Sequence, residues 1–143
     1  MEQLAAWLTG SETIEFREGP VPQPGPGELL LSVGAAVTCG TDVKVYRRGG
    51  HPRMLEVPSP FGHEMAGTII GLGEGVDGWR EGERIVVSNS ASCGSCDFCR
   101  RGDENLCADL LYLNGAFARY LLVPARFVDR GVYRIPGGLD FSV

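Results

Sequence analysis

Four cysteines fall between positions 93 and 107, in the run Cys93-Gly-Ser-Cys96-Asp-Phe-Cys99-Arg-Arg-Gly-Asp-Glu-Asn-Leu-Cys107. The spacing C-x2-C-x2-C-x7-C forces this stretch to wrap on itself if the sulfurs are to meet. Four thiolates complete the tetrahedral shell of zinc, and a closed four-sulfur shell is of the structural kind. Two-residue gaps let one turn present successive sulfurs to one ion, and Gly94 gives the backbone the freedom to fold round it. An iron–sulfur cluster also takes four cysteines, but the gap of seven is long for that pattern and no proline follows the fourth. Thiols that pack without metal are a third reading. A nucleic-acid zinc finger fits least, because it wants histidines and a basic face, whereas Asp97, Asp103, Glu104 and Asp109 stand here among the arginines. With Cys39 the cysteines number 5, an odd count that suits a disulfide framework poorly. The first ten residues lack a basic n-region. The expected location is therefore cytoplasmic, where clustered thiols more often hold metal than pair.

Outside that run the chain is heavily punctuated. Its 143 residues include 21 glycines and 9 prolines, so elements must be short and turns frequent. The length fits one domain. Short runs rich in Val, Ile, Leu and Tyr and bounded by Gly, Pro or Asn predict strands at 4–8, 14–17, 29–37, 65–72, 84–89, 116–123 and 132–135. Pro20-Val-Pro-Gln-Pro-Gly-Pro-Gly reads as a rigid extended connector. Two short helical pieces are expected. One spans Thr41–Arg48, with Thr41 or Asp42 near its cap, and the other spans Asp103–Ala108. The fold class is mainly β, a barrel or sandwich. The formal net charge of −5 and scattered Lys and Arg argue against nucleic acid and anionic membranes as partners. No apolar run approaches the roughly 20 residues of a membrane helix.

A second constellation is looser. Cys39 stands in Thr38-Cys39-Gly40-Thr41-Asp42, and Gly62-His63-Glu64 follows just before a predicted strand. Taken alone, Cys39 reads as a small core residue and His63 as a surface histidine. Together, thiolate, imidazole and carboxylate are all zinc ligands, and a site with few protein ligands leaves a coordination position open for chemistry. Asp42 is placed to orient the histidine through its other ring nitrogen. Gly71-Leu-Gly73-Glu-Gly75 is not a dinucleotide loop, since its spacing is not G-x-G-x-x-G and no βαβ unit surrounds it.

These residues resemble a known family. Gly62-His63-Glu64-Met-Ala-Gly67, then five residues to Gly73 and on to Val76, fits the zinc-containing alcohol dehydrogenase signature at every defined position. The Pro/Gly connector before Glu28-Leu-Leu-Leu, the Cys39-Gly-Thr-Asp42 motif, Trp79-Arg-Glu-Gly-Glu-Arg84, the four-cysteine lobe and Gly115-Ala-Phe-Ala-Arg-Tyr-Leu match as well. The likeness to the medium-chain dehydrogenase/reductase superfamily runs from about Leu4 to Val143, and Cys-Gly-Thr-Asp leans toward the polyol and threonine dehydrogenase branch. The resemblance implies a chaperonin-10-like (GroES-like) β-barrel over 1–143 with a zinc lobe at 92–109, followed in the full enzyme by a Rossmann domain. Pro136–Val143 reads as a turn and the start of a helix that leaves Leu139 and Phe141 uncovered, so the chain is expected to stop before that dinucleotide-binding domain.

Position by position, the resemblance makes Cys39 and His63 catalytic-zinc ligands and Glu64 the adjacent carboxylate. Thr41 becomes the hydroxyl that passes on the substrate proton, while Cys93, Cys96, Cys99 and Cys107 become the structural zinc set. A further ligand is expected downstream. Two positions depart from the pattern. Lys44 stands where some members carry a relay histidine, with His51 near but not at that place, and Glu83 replaces the usual aspartate of a Gly-Asp turn. The implied activity is oxidation of a secondary alcohol, polyol or hydroxy-amino acid by hydride transfer to NAD or NADP. The implied partners are a small-molecule substrate and further copies of the full enzyme, as a homodimer or homotetramer. The alternative is a non-enzymatic zinc-stabilised barrel serving as a scaffold, which would need the four cysteines but not Cys39, Thr41, His63 and Glu64 together.

Overall fold

The structure, a computed structural model, describes residues 2–141. Two antiparallel strands open the chain, β1 (Glu2–Gly10) and β2 (Thr13–Pro20), joined by a turn at Ser11–Glu12. The proline-rich connector leads into β3 (Leu29–Ala36). Helix α1 (Gly40–Arg48) follows, then β4 (Ser59–Pro60), β5 (Met65–Leu72), β6 (Arg84–Val87) and β7 (Ser90–Ala91). The cysteine segment holds one turn of helix, α2 (Asp97–Arg100), and a 3-10 turn at Glu104–Leu106. The chain then forms β8 (Leu111–Tyr112), β9 (Tyr120–Val123), α3 (Ala125–Arg130) and β10 (Val132–Arg134). Among the described residues no helix is long and apolar enough to cross a membrane.

Five strands form the main sheet in the order β10-β6-β5-β3-β9, and three form a second sheet in the order β2-β1-β4. The sheets join where Ala5 bridges Ala118 and where the Ala6 N–H donates to the Phe117 carbonyl at 2.9 Å. That join curls the architecture into the expected barrel. Inward-facing Leu29, Leu31, Ile69, Ile85, Val87, Leu121 and Val123 are buried with Phe127 of α3. Alternation with period two explains the choice: Leu29 and Leu31 share a face of β3, and their partners Val123 and Leu121 in β9 stand directly opposite. A smaller core under α1 gathers Leu8, Val45, Leu55 and Phe61.

Several expectations need correction. The strand expected at 84–89 ends at Val87, and the chain turns before the short β7–β8 ladder. Only Tyr120–Val123 of the run 116–123 is strand. Upstream of it, Gly115 sits at φ +110° and the Gly115 and Ala116 N–H groups both donate to the Gly62 carbonyl, at 2.8 and 3.0 Å. Thr41 and Asp42 stand near the cap of α1 as expected, Asp42 completing a capping box, but the N-cap residue itself is Cys39; the second helical piece is a short 3-10 turn. Helix α3 was missed: its six residues are too few for a visible helical period. Phe141 is not left uncovered. Its ring lies against Gly34 and 4.2 Å from the Arg84 guanidinium. Leu139 is exposed as expected, and the last residues of the predicted helix start, 142–143, lie outside the described residues. The Gly71–Gly75 segment ends β5 in a turn, where Gly73 packs against the Gly25 backbone so closely that any side chain would collide with it.

Candidate metal centres

Cysteine 39 is the residue on which the second constellation turns. It is the N-cap of α1: its Sγ accepts the Thr41 N–H at 3.2 Å, and its own N–H donates to Asp42 Oδ2 at 2.9 Å. This is a capping box with a thiol in the hydroxyl's place. A helix N-terminus favours negative charge, such as a metal-bound thiolate carries. Asp42 is 1% exposed. Its second oxygen, Oδ1, lies 3.0 Å from Nδ1 of His63, itself buried. A carboxylate at Nδ1 fixes the proton there and leaves the Nε2 lone pair free. That lone pair faces Cys39, with Sγ and Nε2 separated by 3.3 Å.

His63 is held from behind as well. Gly62 has φ +87°, and a Cβ there would meet the Phe117 ring at 2.8 Å, so the approach to His63 requires glycine. Phe117 in turn packs edge-on against Phe61, with centroids 5.6 Å apart. One ligand atom each from Cys39, His63 and Glu64 lies within 4.8 Å of the others. Sulfur at about 2.3 Å and nitrogen at about 2.0 Å from a tetrahedral zinc would stand roughly 3.5 Å apart, so the donor set fits the ion. Thr41 sits half-buried in the first turn of α1, beside the thiol. His51 follows the far end of that helix. Its Nδ1 accepts the N–H groups of Arg53 and Met54 at 3.2 and 3.1 Å, a local turn role that sequence alone did not reveal.

The four-cysteine lobe is tighter. Cys96 and Cys99 sulfurs are 3.5 Å apart, Cys93 and Cys99 3.9 Å, and Cys96 and Cys107 4.0 Å. A tetrahedron with bonds of about 2.3 Å has edges of roughly 3.8 Å. Gly94 has φ +76°, the left-handed conformation that the turn demands. Backbone donors converge on the sulfurs. The Ser95 and Cys96 N–H groups hold the Cys93 thiol down to about 6, and those of Cys99 and Ala108 lower Cys96. Burial, with the neighbouring Cys96, pushes Cys99 up to about 11. The Cys93 N–H also donates to the Cys107 sulfur at 3.2 Å. Such N–H···S contacts stabilise thiolates held together, which suits a tetrathiolate metal site better than packed thiols.

A curled antiparallel barrel thus carries a four-sulfur cluster and a separate Cys–His–carboxylate cluster, each with donor atoms close enough to share one metal ion. Residues 25–136 match the Alcohol dehydrogenase GroES-like domain, and the chain belongs to that family. Among curated proteins it is similar to the L-threonine 3-dehydrogenase of Pyrococcus horikoshii, 36% identical over 89% of this chain and 37% of that protein. It is also similar to the sorbitol dehydrogenase of Bacillus subtilis, 34% identical over 96% of this chain and 40% of that protein. Among solved structures, an alcohol dehydrogenase of Escherichia coli CFT073 complexed with NADH superposes with a TM-score of 0.84 at 33% identity, over 98% of this chain and 40% of that one. The chain therefore spans about two fifths of the length of these relatives.

Proposed function

We propose that residues 1–143 are the catalytic domain of a zinc-dependent dehydrogenase that oxidises a secondary alcohol, polyol or hydroxy-amino acid by hydride transfer to NAD or NADP. It would act with a dinucleotide-binding domain of the same protein, in the cytoplasm, as a homodimer or homotetramer. The observation that carries the reading is the 3.3 Å approach of Cys39 Sγ to His63 Nε2, backed by Asp42. A scaffold has no use for that pair. The names of the relatives, threonine and sorbitol dehydrogenases, support the substrate class, and the NADH of the E. coli relative supports the coenzyme.

The chain's own residues divide the work. Cys39 and His63 would hold a zinc ion, with Glu64 the carboxylate able to join or leave them. The ion supplies Lewis acidity, drawing charge from a hydroxyl oxygen and easing loss of its proton. Asp42 keeps the imidazole in the ligating tautomer. Thr41, in the first turn of α1 with its N–H on the Cys39 sulfur, would offer a hydroxyl to accept and pass on that proton. Cys93, Cys96, Cys99 and Cys107 would hold the structural ion. The coenzyme carries the hydride chemistry, and the protein places and polarises.

The test is turnover of the zinc-loaded full-length protein with L-threonine and sorbitol, each with NAD and NADP. Cys39→Ala and His63→Ala abolish turnover while the cysteine lobe keeps its zinc. Near-normal activity in His63→Ala rejects the assignment. Full activity with one zinc per chain supports a scaffold role for the lobe alone and rejects the second centre.

A further inference from the structure

Residues 93–109 form an excursion that bonds mainly to itself. The backbone N–H groups of Arg100, Arg101, Gly102, Asp103, Leu106 and Cys107 all find carbonyls within the lobe. Its side-chain pairs Arg100–Asp97 and Arg101–Asp103 are internal too. Only Cys107 is buried, and neither α2 nor the 3-10 turn buries a residue. The stems are a two-residue ladder, Ser90 with Tyr112 and Ala91 with Leu111. By hydrophobic burial alone, this lobe is loosely attached.

Among the described residues, every hydrogen bond that runs from 93–109 to the rest of the chain is donated by one of two side chains of α3. Arg126 gives Nη1 to the Asp109 carbonyl at 3.0 Å and Nη2 to Asp109 Oδ2 at 2.9 Å. Arg130 gives Nη1 to Glu104 Oε1 at 3.4 Å. The Arg130 guanidinium also lies flat against the Gly94 turn, where an added Cβ would fall 1.8 Å from Nη2 and 2.2 Å from Cζ. Gly94 is the residue whose backbone bonds the Cys99 sulfur. The two arginines are four apart and so share one face of the helix. Between them Phe127 and Val128 are buried in the barrel core. The helix is rooted in the barrel on one side and reaches the lobe with the other.

We propose that Arg126 and Arg130 are positioning residues for the cysteine lobe. They fasten it to the barrel through Asp109, Glu104 and the Gly94 turn, and so slow the opening through which its metal is lost. The guanidinium charges also stand beside a cluster that carries net negative charge when four thiolates share one divalent ion, which adds attraction of the same sign. The inference concerns retention of the lobe's metal and holds whatever substrate the barrel serves.

The experiment uses the zinc-loaded full-length protein, challenged with excess chelator. Zinc loss from the lobe is read by mass spectrometry as the rate of iodoacetamide alkylation of the peptide spanning 93–107, which separates it from the Cys39 centre. The Arg126→Gln/Arg130→Gln double variant should lose lobe zinc roughly tenfold faster, as expected for several charge-assisted contacts of modest strength. Hydrogen exchange should quicken in 93–109 and stay unchanged in the barrel strands. Added salt should speed the wild type toward the variant and leave the variant unmoved, because exposed charge pairs are screened. Glu104→Gln/Asp109→Asn, made from the lobe side, should reproduce the effect. Unchanged alkylation in both double variants overturns the proposal. So does faster exchange throughout the barrel with no excess in the lobe, because the arginines would then serve the barrel and not the lobe.

Discussion

Replacing Asp42 with asparagine tests the logic of the Cys39–His63 centre with a change of almost no volume. One oxygen of the wild-type carboxylate accepts the Cys39 N–H at 2.9 Å, and the other, Oδ1, lies 3.0 Å from the ring Nδ1 of His63. An amide has one oxygen and one NH2, so it serves only one of these donors and turns a donor toward the other. If the oxygen stays on Cys39, the NH2 faces Nδ1, and the imidazole is driven to the tautomer with its proton on Nε2, where it cannot ligate. If the oxygen turns to His63, the cap of α1 is lost. A hydrogen bond to a charged group contributes about 1.5–3 kcal/mol, and loss of a residue that orients a metal ligand typically costs 10–100-fold in affinity, or about 1.4–2.8 kcal/mol. The two ranges agree. Asp42→Asn should therefore weaken zinc at this centre by roughly 10–100-fold, with the lobe's zinc retained. Titration of the full-length protein against a chromophoric chelator, with metal counted at each step, measures it. Affinity within about twofold of wild type would mean that Asp42 neither orients His63 nor matters to the metal, and the tautomer argument fails.

Three further outcomes follow from the same contacts. Phe127→Ala removes a side chain with 0% exposure from the main core and should cost about 3–5 kcal/mol in urea unfolding; a loss below about 1 kcal/mol would show that α3 is not anchored there. Cys96→Ser should release the lobe's zinc and unfold the lobe locally, since structural zinc is worth about 10–16 kcal/mol in apparent binding; unchanged zinc content in the variant contradicts the assignment. Glu83 is held below the usual carboxylate range by Arg134 first and then by the Arg80 N–H. Its stabilising pairing is therefore complete above the ordinary carboxylate pKa and is lost as pH falls through its lowered folded value. Glu83→Gln should be less stable than wild type at neutral pH, and the gap should close in acid; a gap that is constant with pH removes the ion pair as its cause.

The sequence carried the metal chemistry further than it carried the fold's details. The four-cysteine spacing named its own cluster, because sulfurs separated by two residues meet on one turn whatever surrounds them. The Cys39–His63 pairing joins a helix cap to the segment just before β5; the residue types suggested it, but no spacing rule encodes such a meeting of distant segments, and the resemblance made it specific. Strand β5 was legible to the residue because its apolar run is bounded by a motif and a turn. The run 116–123 misled, because hydrophobicity cannot show that Gly62 takes the hydrogen bonds of Gly115 and Ala116. The sequence shows Glu83 only as a departure from the usual aspartate, and not that its carboxylate reaches both the Arg80 N–H, at 3.0 Å, and Arg134. Cys39 as a cap was invisible because thiols rank low among capping residues, and the metal requirement overrides that preference.

The order β10-β6-β5-β3-β9 has a consequence for biosynthesis. Strand β3 gains its first neighbour when β5 emerges but waits for β9, which ends at Val123, for its second. The residues between Leu72 and Val123 take the ribosome roughly 3–10 s at 5–20 residues per second. Throughout that interval Leu29-Leu-Leu31 presents an unpaired apolar edge, the kind of strand that recruits other chains. Nascent chains stalled between these two positions thus hold β3 with one edge open to aggregation and to capture by chaperones, and yield at high expression should respond to translation speed across this stretch.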